Sequence, residues 1–221
     1  MDSNQFHVTK NKEGGYVLKD SNIYQADIDT LDDGSCLNDM IMHFYLRLLE
    51  IKYQTEKQPK KIQFVMPCTI QFIQAFPLEM VQESLTDDFL KGYNYIILPL
   101  SDFNTQSLSS THWSLLILAQ TDKNIAFYHF DSMNQSNSSH ARNLAEKISS
   151  LISKKTYDFN TISSDSQINS FDCGVYVLRY IKSFLDNNYD LNKVVEGITP
   201  EEVHQFRHQI RQEIEDSFPK E

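Results

Sequence analysis

Two long apolar runs joined by a short polar turn constrain the fold of this chain more than any other feature. The runs THWSLLILAQ (residues 111–120) and NIAFYHFDS (residues 124–132) meet at the residues TDKN. Turn-forming residues between two strand-like runs predict a β-hairpin. A further run, YNYIILPL (residues 93–100), has the apolar character of a buried strand. The three runs therefore predict the centre of a sheet.

Helix-periodic apolar positions recur in other segments of the chain. They predict helices in residues 37–53, 69–76, 79–92, 141–152, 173–185 and 200–218, of which the last is mostly polar. Further strands are expected in residues 15–24, as a short edge strand, 61–67 and 155–164. Asn38 or Asp39 should cap the first helix. This order predicts an α+β fold with a mixed central sheet flanked by helices.

The length and continuity of the chain bound its domain organisation. It has 221 residues, and neither an internal repeat nor a Pro- or Gly-rich linker divides it. We predict a flexible N-terminal tail over residues 1–15 and a single domain over residues 16–221.

Charge and apolar content limit the class of partner. The formal net charge is −10, which disfavours nucleic acid or an anionic membrane and suits a protein with a basic patch. The apolar runs are shorter than a membrane span, and the polar start of the chain lacks a signal peptide. We expect a monomer in the cytoplasm or the nucleus. The three cysteines are widely spaced, so neither a disulfide framework, a zinc motif nor a cofactor is indicated.

Cys173 stands at the start of an apolar, helix-periodic run, and two interpretations are open. A free cysteine often behaves as a small buried hydrophobe. A helix N-terminus also carries partial positive charge and unpaired N–H groups, which favour a thiolate and can bind an oxyanion. Taken alone, Cys173 fits the first interpretation better. The second requires a base, a group that orients the base, and oxyanion donors.

Three polar residues can supply those parts. His112 opens the first strand of the predicted hairpin and Asp131 closes the second, so antiparallel pairing places both at one end of the sheet. Gln167 precedes Cys173 by six residues, and its amide can point at a developing oxyanion. Each also has a simpler interpretation, as a surface histidine, a turn aspartate and an isolated glutamine.

His204 and His208 form an i, i+4 pair on the terminal helix. Two such imidazoles can ligate a metal ion. No glutamate follows His204, however, and the helix has the composition of a solvated one. We therefore predict no metal site.

The motifs around His112, Asp131, Gln167 and Cys173 also resemble those of a known protein family. THWSL (residues 111–115), FDS (residues 130–132) and QINSFDCG (residues 167–174) resemble the catalytic pattern of the sentrin-specific cysteine proteases, in the order His, Asp, Gln, Cys. The resemblance runs from about Tyr16 to about Pro200. It implies a papain-like core that cleaves after the C-terminal Gly-Gly of a ubiquitin-like modifier. Within the family, the chain most resembles the small deneddylase.

The resemblance also implies roles for individual residues. It assigns Cys173 as the nucleophile, His112 as the base and later the acid, Asp131 as the orienter and Gln167 as the oxyanion donor. It implies substrate binding at Trp113, Cys36, Asn38, Asp39 and Asp102. Trp113 would cover a channel that only glycines can thread. Where the family usually has a tryptophan for the other side of this channel, the chain has Cys36.

The function implied is that of a deneddylase, which matures a modifier precursor and releases the modifier from lysine conjugates such as neddylated cullins. Two alternatives remain open. One is the same chemistry on SUMO or ubiquitin, and the other is a non-catalytic module that only binds the modifier. The presence of all four catalytic-type residues argues against the second, because a pure binder has no need of them.

Overall fold

The structure is a computed structural model that describes residues 7–53, 60–85, 89–107, 109–121, 124–152, 156–162 and 167–219. Its first element is a small antiparallel sheet of three strands. They are β1 (Thr9–Lys10), β2 (Tyr16–Leu18) and β3 (Ser21–Ile23). The sequence predicted one edge strand here. Instead, Lys19 adopts a left-handed conformation (φ 53°) that turns the chain back on itself, so the segment forms a hairpin outside the central sheet.

Part of the segment predicted as a flexible tail belongs to a strand. Thr9 pairs with Val17, which places part of the predicted tail in the small sheet. The backbone N–H of Asn11 donates to the carbonyl of Gly15 at 2.8 Å and closes the turn between β1 and β2. Residues 1–6 of the predicted tail lie outside the described residues.

The central sheet has five strands in the order of the chain. They are β4 (Ile62–Phe64), β5 (Tyr95–Ser101), β6 (Trp113–Gln120), β7 (Ile125–Phe130) and β8 (Asp158–Ile162). β5, β6 and β7 are antiparallel, and each outer strand is parallel to its neighbour. The predicted hairpin is confirmed, with Leu115 opposite Phe130. The residues before β6 and after β7 consequently lie at the same end of the sheet.

Seven α-helices lie among the described residues. They are α1 (Gln25–Ile28), α2 (Asp39–Tyr53), α3 (Pro67–Ala75), α4 (Leu78–Ser84), α5 (Ser138–Leu151), α6 (Cys173–Asp186) and α7 (Pro200–Asp216). Asn38 caps α2, because its side-chain oxygen accepts the N–H of Ile41 at 3.0 Å. The predicted α+β architecture, a mixed sheet flanked by helices, is confirmed. No helix in the described ranges is long and apolar enough to cross a membrane.

Helices cover both faces of the sheet. Ile97, Leu115 and Ile117 point to the face that α2, α6 and α7 cover, whereas Leu98 and Leu116 point to the face of α3, α4 and α5. This explains why the strands read as continuous apolar runs rather than alternating ones. Each such side chain, once fully buried, stabilises the fold by about 1.5–3 kcal/mol.

The terminal helix α7 is less solvated than its composition predicted. Val203, Phe206, Ile210 and Ile214 recur at three- and four-residue steps, and all four are buried. α7 packs through this face against α6 and α2. Arg207 lies on the same face and is fully buried, which the polar sequence of the helix did not indicate.

Candidate active site

Cys173 is the first residue of α6, in the first turn where the sequence predicted it. Its side chain is buried, with 3% of the residue exposed. Asp172 is the N-cap residue, and its carbonyl accepts the N–H of Tyr176 at 2.9 Å. The sulfur therefore lies beside the unpaired N–H groups and the positive dipole end of a helix. This is an environment that stabilises a negative charge.

A buried guanidinium that the sequence did not single out fixes the loop before α6. Arg207 donates two hydrogen bonds to one carboxylate oxygen of Asp172, at 2.8 and 3.1 Å, and one to the carbonyl of Phe171 at 3.1 Å. It donates two more to the carbonyls of Thr30 (3.1 Å) and Asp32 (3.4 Å). These five bonds match the five N–H donors of an arginine. The charge is thus paired and solvated by protein groups, as burial requires.

His112 and Asp131 meet at the end of the β6–β7 hairpin. Nε2 of His112 lies 2.7 Å from Oδ1 of Asp131. The carboxylate also accepts the backbone N–H groups of Met133 and Asn137, both at 2.9 Å. Burial opposes the charge of Asp131, but the bond from His112 and these two N–H groups outweigh it and lower the pKa of Asp131. The carboxylate is held ionised and correctly oriented toward the ring.

The imidazole of His112 lies between this carboxylate and the sulfur of Cys173. Burial opposes its charge, but the interactions with Asp131 and Cys173 raise the pKa of His112 to about 9. Nδ1 is buried and makes no well-aligned hydrogen bond to any described residue. At neutral pH the ring is therefore protonated. An imidazolium beside a cysteine stabilises the thiolate, which is the nucleophilic form.

Gln167 is held in one orientation by its neighbours. Its side-chain oxygen accepts the hydroxyl of Ser132 at 2.8 Å, and its side-chain nitrogen donates to the carbonyl of Asn169 at 2.7 Å. A flipped amide would place its oxygen against the carbonyl oxygen of Asn169, so the bond to Asn169 fixes the orientation. Within the described ranges the second amide N–H has no acceptor, so it remains available for an oxyanion. Sequence reasoning missed Ser132, whose one signal was its position directly after Asp131.

A groove of about 610 Å³ opens beside Cys173. It brings together four of the five predicted substrate-binding residues, which are Cys36, Asn38, Asp39 and Trp113. The indole of Trp113 is 7% exposed, and its N–H donates to the carbonyl of Leu37 at 3.3 Å. One wall of the groove is thus a fixed aromatic ring.

The segment around Cys36 also lines the groove, and the Cys36 thiol is exposed. Its sulfur lies 3.8 Å from the carbonyl of Ser170. Burial, and then the nearby Cys173 sulfur, raise the pKa of Cys36. The next residue, Leu37, packs on Gly174 so closely that a Cβ at position 174 would lie 3.0 Å from the Leu37 Cβ. The glycine therefore permits the close approach of this segment to α6.

Asp102, the fifth predicted substrate-binding residue, is hydrogen-bonded to Thr111 and His112. Its carboxylate accepts the backbone N–H and the hydroxyl of Thr111, both at 2.6 Å, and the N–H of His112 at 2.9 Å. These contacts close the segment before β6 and fix the backbone of His112. Substrate binding by Asp102 stays a prediction, because these bonds all join the carboxylate to its own chain.

Other histidines take no part in this arrangement. His129 is fully buried in β7, where burial lowers its pKa to about 4, and its Nε2 lies 3.1 Å from the hydroxyl of Ser114. His204 and His208 are exposed on α7. His112 is thus the histidine that the fold brings to the sulfur.

Comparisons with known proteins agree with this geometry. A family model described as the Ulp1 protease family, C-terminal catalytic domain, matches residues 35–221. The chain is 34% identical to human sentrin-specific protease 8 over 76% of this chain and 79% of that protein. It is 27% identical to NEDD8-specific protease 1 of Arabidopsis thaliana over 70% of this chain and 67% of that protein.

Solved structures share the fold. The C-terminal Ulp1 protease domain, solved in complex with Smt3, the yeast ortholog of SUMO, superposes with a TM-score of 0.62 at 18% sequence identity. The match covers 94% of this chain and 86% of that domain.

The first prediction concerns the protonation of His112. Asp131→Asn should lower the pKa of His112 from about 9 toward its ordinary value, because the carboxylate that stabilises the imidazolium loses its charge. The alkaline limit of peptide-bond cleavage should move to lower pH with it, because the departing amine takes its proton from the imidazolium. NMR titration of the ring measures the first effect and the pH dependence of cleavage the second. An unchanged titration curve would remove Asp131 from the site, and Asp33→Asn serves as a distant control.

The second prediction concerns Arg207. Arg207→Met should lower the free energy of unfolding by about 3–5 kcal/mol, because it leaves Asp172 buried and unpaired. Arg211→Met is the matched control, since Arg211 lies one turn further along α7 and makes a more exposed ion pair with Asp32. That change should cost about 1 kcal/mol or less. Denaturant unfolding measures both variants. An equal loss of unfolding free energy in the two would show that the buried ion pair contributes no more to stability than the exposed one.

Proposed function

Because the chain belongs to the Ulp1 protease family and is thus a cysteine peptidase, we propose that it is a deneddylase, cleaving after the C-terminal Gly-Gly of the modifier NEDD8. The observation that carries the proposal is that the His112–Asp131 pair lies against Cys173, which itself lines a groove. The choice of modifier is supported by the similarity to sentrin-specific protease 8 and to NEDD8-specific protease 1.

The geometry supports a two-step acyl transfer. The Cys173 thiolate attacks the carbonyl carbon of the last glycine, and the oxyanion forms beside the free N–H of Gln167 and the backbone N–H of Cys173. The imidazolium of His112 then gives its proton to the departing amine, which is a lysine Nζ or a peptide nitrogen. A thioester to Cys173 remains. The neutral imidazole next takes a proton from water, which attacks the thioester and releases the modifier with a free carboxylate.

The groove explains the need for glycines. The Trp113 ring and the segment at Leu37 face the approach to Cys173 and leave a slot for a tail without Cβ atoms. Cys36 replaces a ring with a short side chain, so this slot is wider on one side than in relatives with tryptophan there. The smaller contact area lowers the binding affinity for every Gly-Gly tail.

The partners in this proposal are proteins. They are the modifier itself and its lysine conjugates, among them neddylated cullins, acted on by a monomeric enzyme in the cytoplasm or nucleus. The net charge of −10 favours a partner with a basic surface. No step in the proposed mechanism uses a metal ion or an organic cofactor.

SUMO is the second candidate modifier. The fold superposes on that of a protease domain solved with the yeast ortholog of SUMO, and the Gly-Gly slot would serve either modifier. Selectivity must therefore come from the wider modifier-binding surface rather than from the catalytic residues.

The third prediction tests chemistry and modifier together. Wild type should cleave C-terminal extensions from NEDD8 faster than from SUMO or ubiquitin, and Cys173→Ala should cleave none of them while still binding NEDD8. Cleavage rates and binding constants on the three modifiers measure this. Preference for SUMO would exclude the deneddylase but keep the thiol protease. Turnover by Cys173→Ala near that of wild type would exclude Cys173 as the nucleophile.

The fourth prediction concerns Cys36. Cys36→Trp should tighten the binding of all three Gly-Gly tails by roughly 1–3 kcal/mol, because a buried ring adds contact area to the slot. The order of preference among the modifiers should not change. Cys68→Trp, at an exposed cysteine on α3, is the matched control. A changed order of preference would show that position 36 contributes to selectivity.

A further inference from the structure

Two histidines and an aspartate converge on one point of the surface, away from the candidate active site. His204 and His208 share one face of α7, and Asp33 lies on the loop that precedes Cys36. Their donor atoms all lie within 4.8 Å of one another, and all three residues are exposed. We propose that these residues bind a divalent transition-metal ion of the zinc class through two imidazoles and one carboxylate.

The distances suit such an ion. Oδ1 of Asp33 lies 3.7 Å from Nδ1 of His204 and 3.5 Å from Nε2 of His208. Around a tetrahedral zinc ion with bonds of about 2.0–2.1 Å, two ligand atoms are roughly 3.3–3.4 Å apart. Exposed side chains can close the difference by small rotations. The two rings stand nearly perpendicular, at 87°, so both nitrogens can face a common centre without a steric clash between the rings.

The donor set favours a metal ion over a pair of simple salt bridges. Two neutral imidazoles each offer a lone pair, and with a carboxylate they form a donor set typical of zinc, leaving one position for water. Glu201 in the first turn of α7 makes the surroundings more negative, which favours a dication.

Only two of these ligands are visible in the sequence. The histidine pair at i and i+4 lacked a third donor along the chain, and Asp33 reaches it through the tertiary fold. Arg211 of the same helix contacts the same loop, at the Asp32 carboxylate (2.6 Å). The ion would add a further connection between α7 and the loop that leads through Gly34 to Cys36.

Zinc titration of the full chain tests the proposal. The parent protein carries Cys173→Ala, because a catalytic thiolate also binds zinc. Calorimetry should show one zinc ion per chain. His204→Ala, His208→Ala and Asp33→Asn should each weaken the affinity by at least about 10–100-fold, the loss known for contacts outside the first coordination sphere. His140→Ala, on α5, is the matched control and should bind as the parent does.

Two spectroscopic measurements locate the ion. Cobalt in place of zinc should give a visible spectrum without the intense charge-transfer absorption of a thiolate ligand. Zinc should also slow amide hydrogen exchange in residues 32–36 and 200–208, and not in α5. A thiolate band would place the ion at Cys36 or Cys68, and exchange slowed only outside these two ranges would place it elsewhere on the protein. Either result would overturn the proposal.

Equal zinc affinity in the parent and in the His204→Ala/His208→Ala double variant would also overturn it, as would the absence of binding. Thermal unfolding distinguishes a metal site from the remaining alternative, a set of ion pairs. If Asp33→Asn changes the pH dependence of stability while zinc leaves the unfolding midpoint of the parent unchanged, the cluster is a set of ion pairs and not a metal site. The proposal expects zinc to raise the midpoint of the parent and not that of the double variant.

Discussion

The buried ion pair between Arg207 and Asp172 holds together the segments on which the candidate site depends. One guanidinium reaches from the terminal helix to the residues before Cys173 and to the carbonyls of Thr30 and Asp32. A buried charge is tolerated only while all of these hydrogen-bond partners stay in position. The helix that carries the nucleophile, the loop that leads to the groove and the last helix of the chain are therefore stabilised as one unit.

The sheet supplies the other half of the site independently. Antiparallel pairing of β6 and β7 brings His112 and Asp131 to one edge, and backbone N–H groups after β7 fix the carboxylate. α6 packs against β6 from one face, which sets the sulfur beside the ring. The sheet and α6 thus each supply part of the site, and the two parts meet at Cys173.

The sequence predicted the features that depend on the spacing of apolar residues or on the order of neighbouring segments along the chain. The hairpin followed from two apolar runs and a polar turn, and α6 from its apolar spacing, so His112, Asp131 and Cys173 were identified. Burial of Arg207 was not predictable, since one charged residue in a polar helix has the same sequence signal whether buried or exposed. The bond from Ser132 to Gln167 and the approach of Asp33 to α7 were missed because they join residues far apart in the chain. The N-terminal hairpin was missed because a single left-handed residue, Lys19, reverses a strand-like run.

The contact between Gly174 and Leu37 determines how the groove segment at Leu37 packs against α6. A Cβ at position 174 would lie 3.0 Å from the Leu37 Cβ, so the Leu37 segment can lie against α6 only because residue 174 has no side chain. The Trp113 indole is tied to the same Leu37 carbonyl. Both residues that make these contacts, Leu37 and Trp113, line the groove. A side chain at position 174 would therefore displace the Leu37 segment from the start of α6, and with it the carbonyl that the Trp113 indole is bonded to.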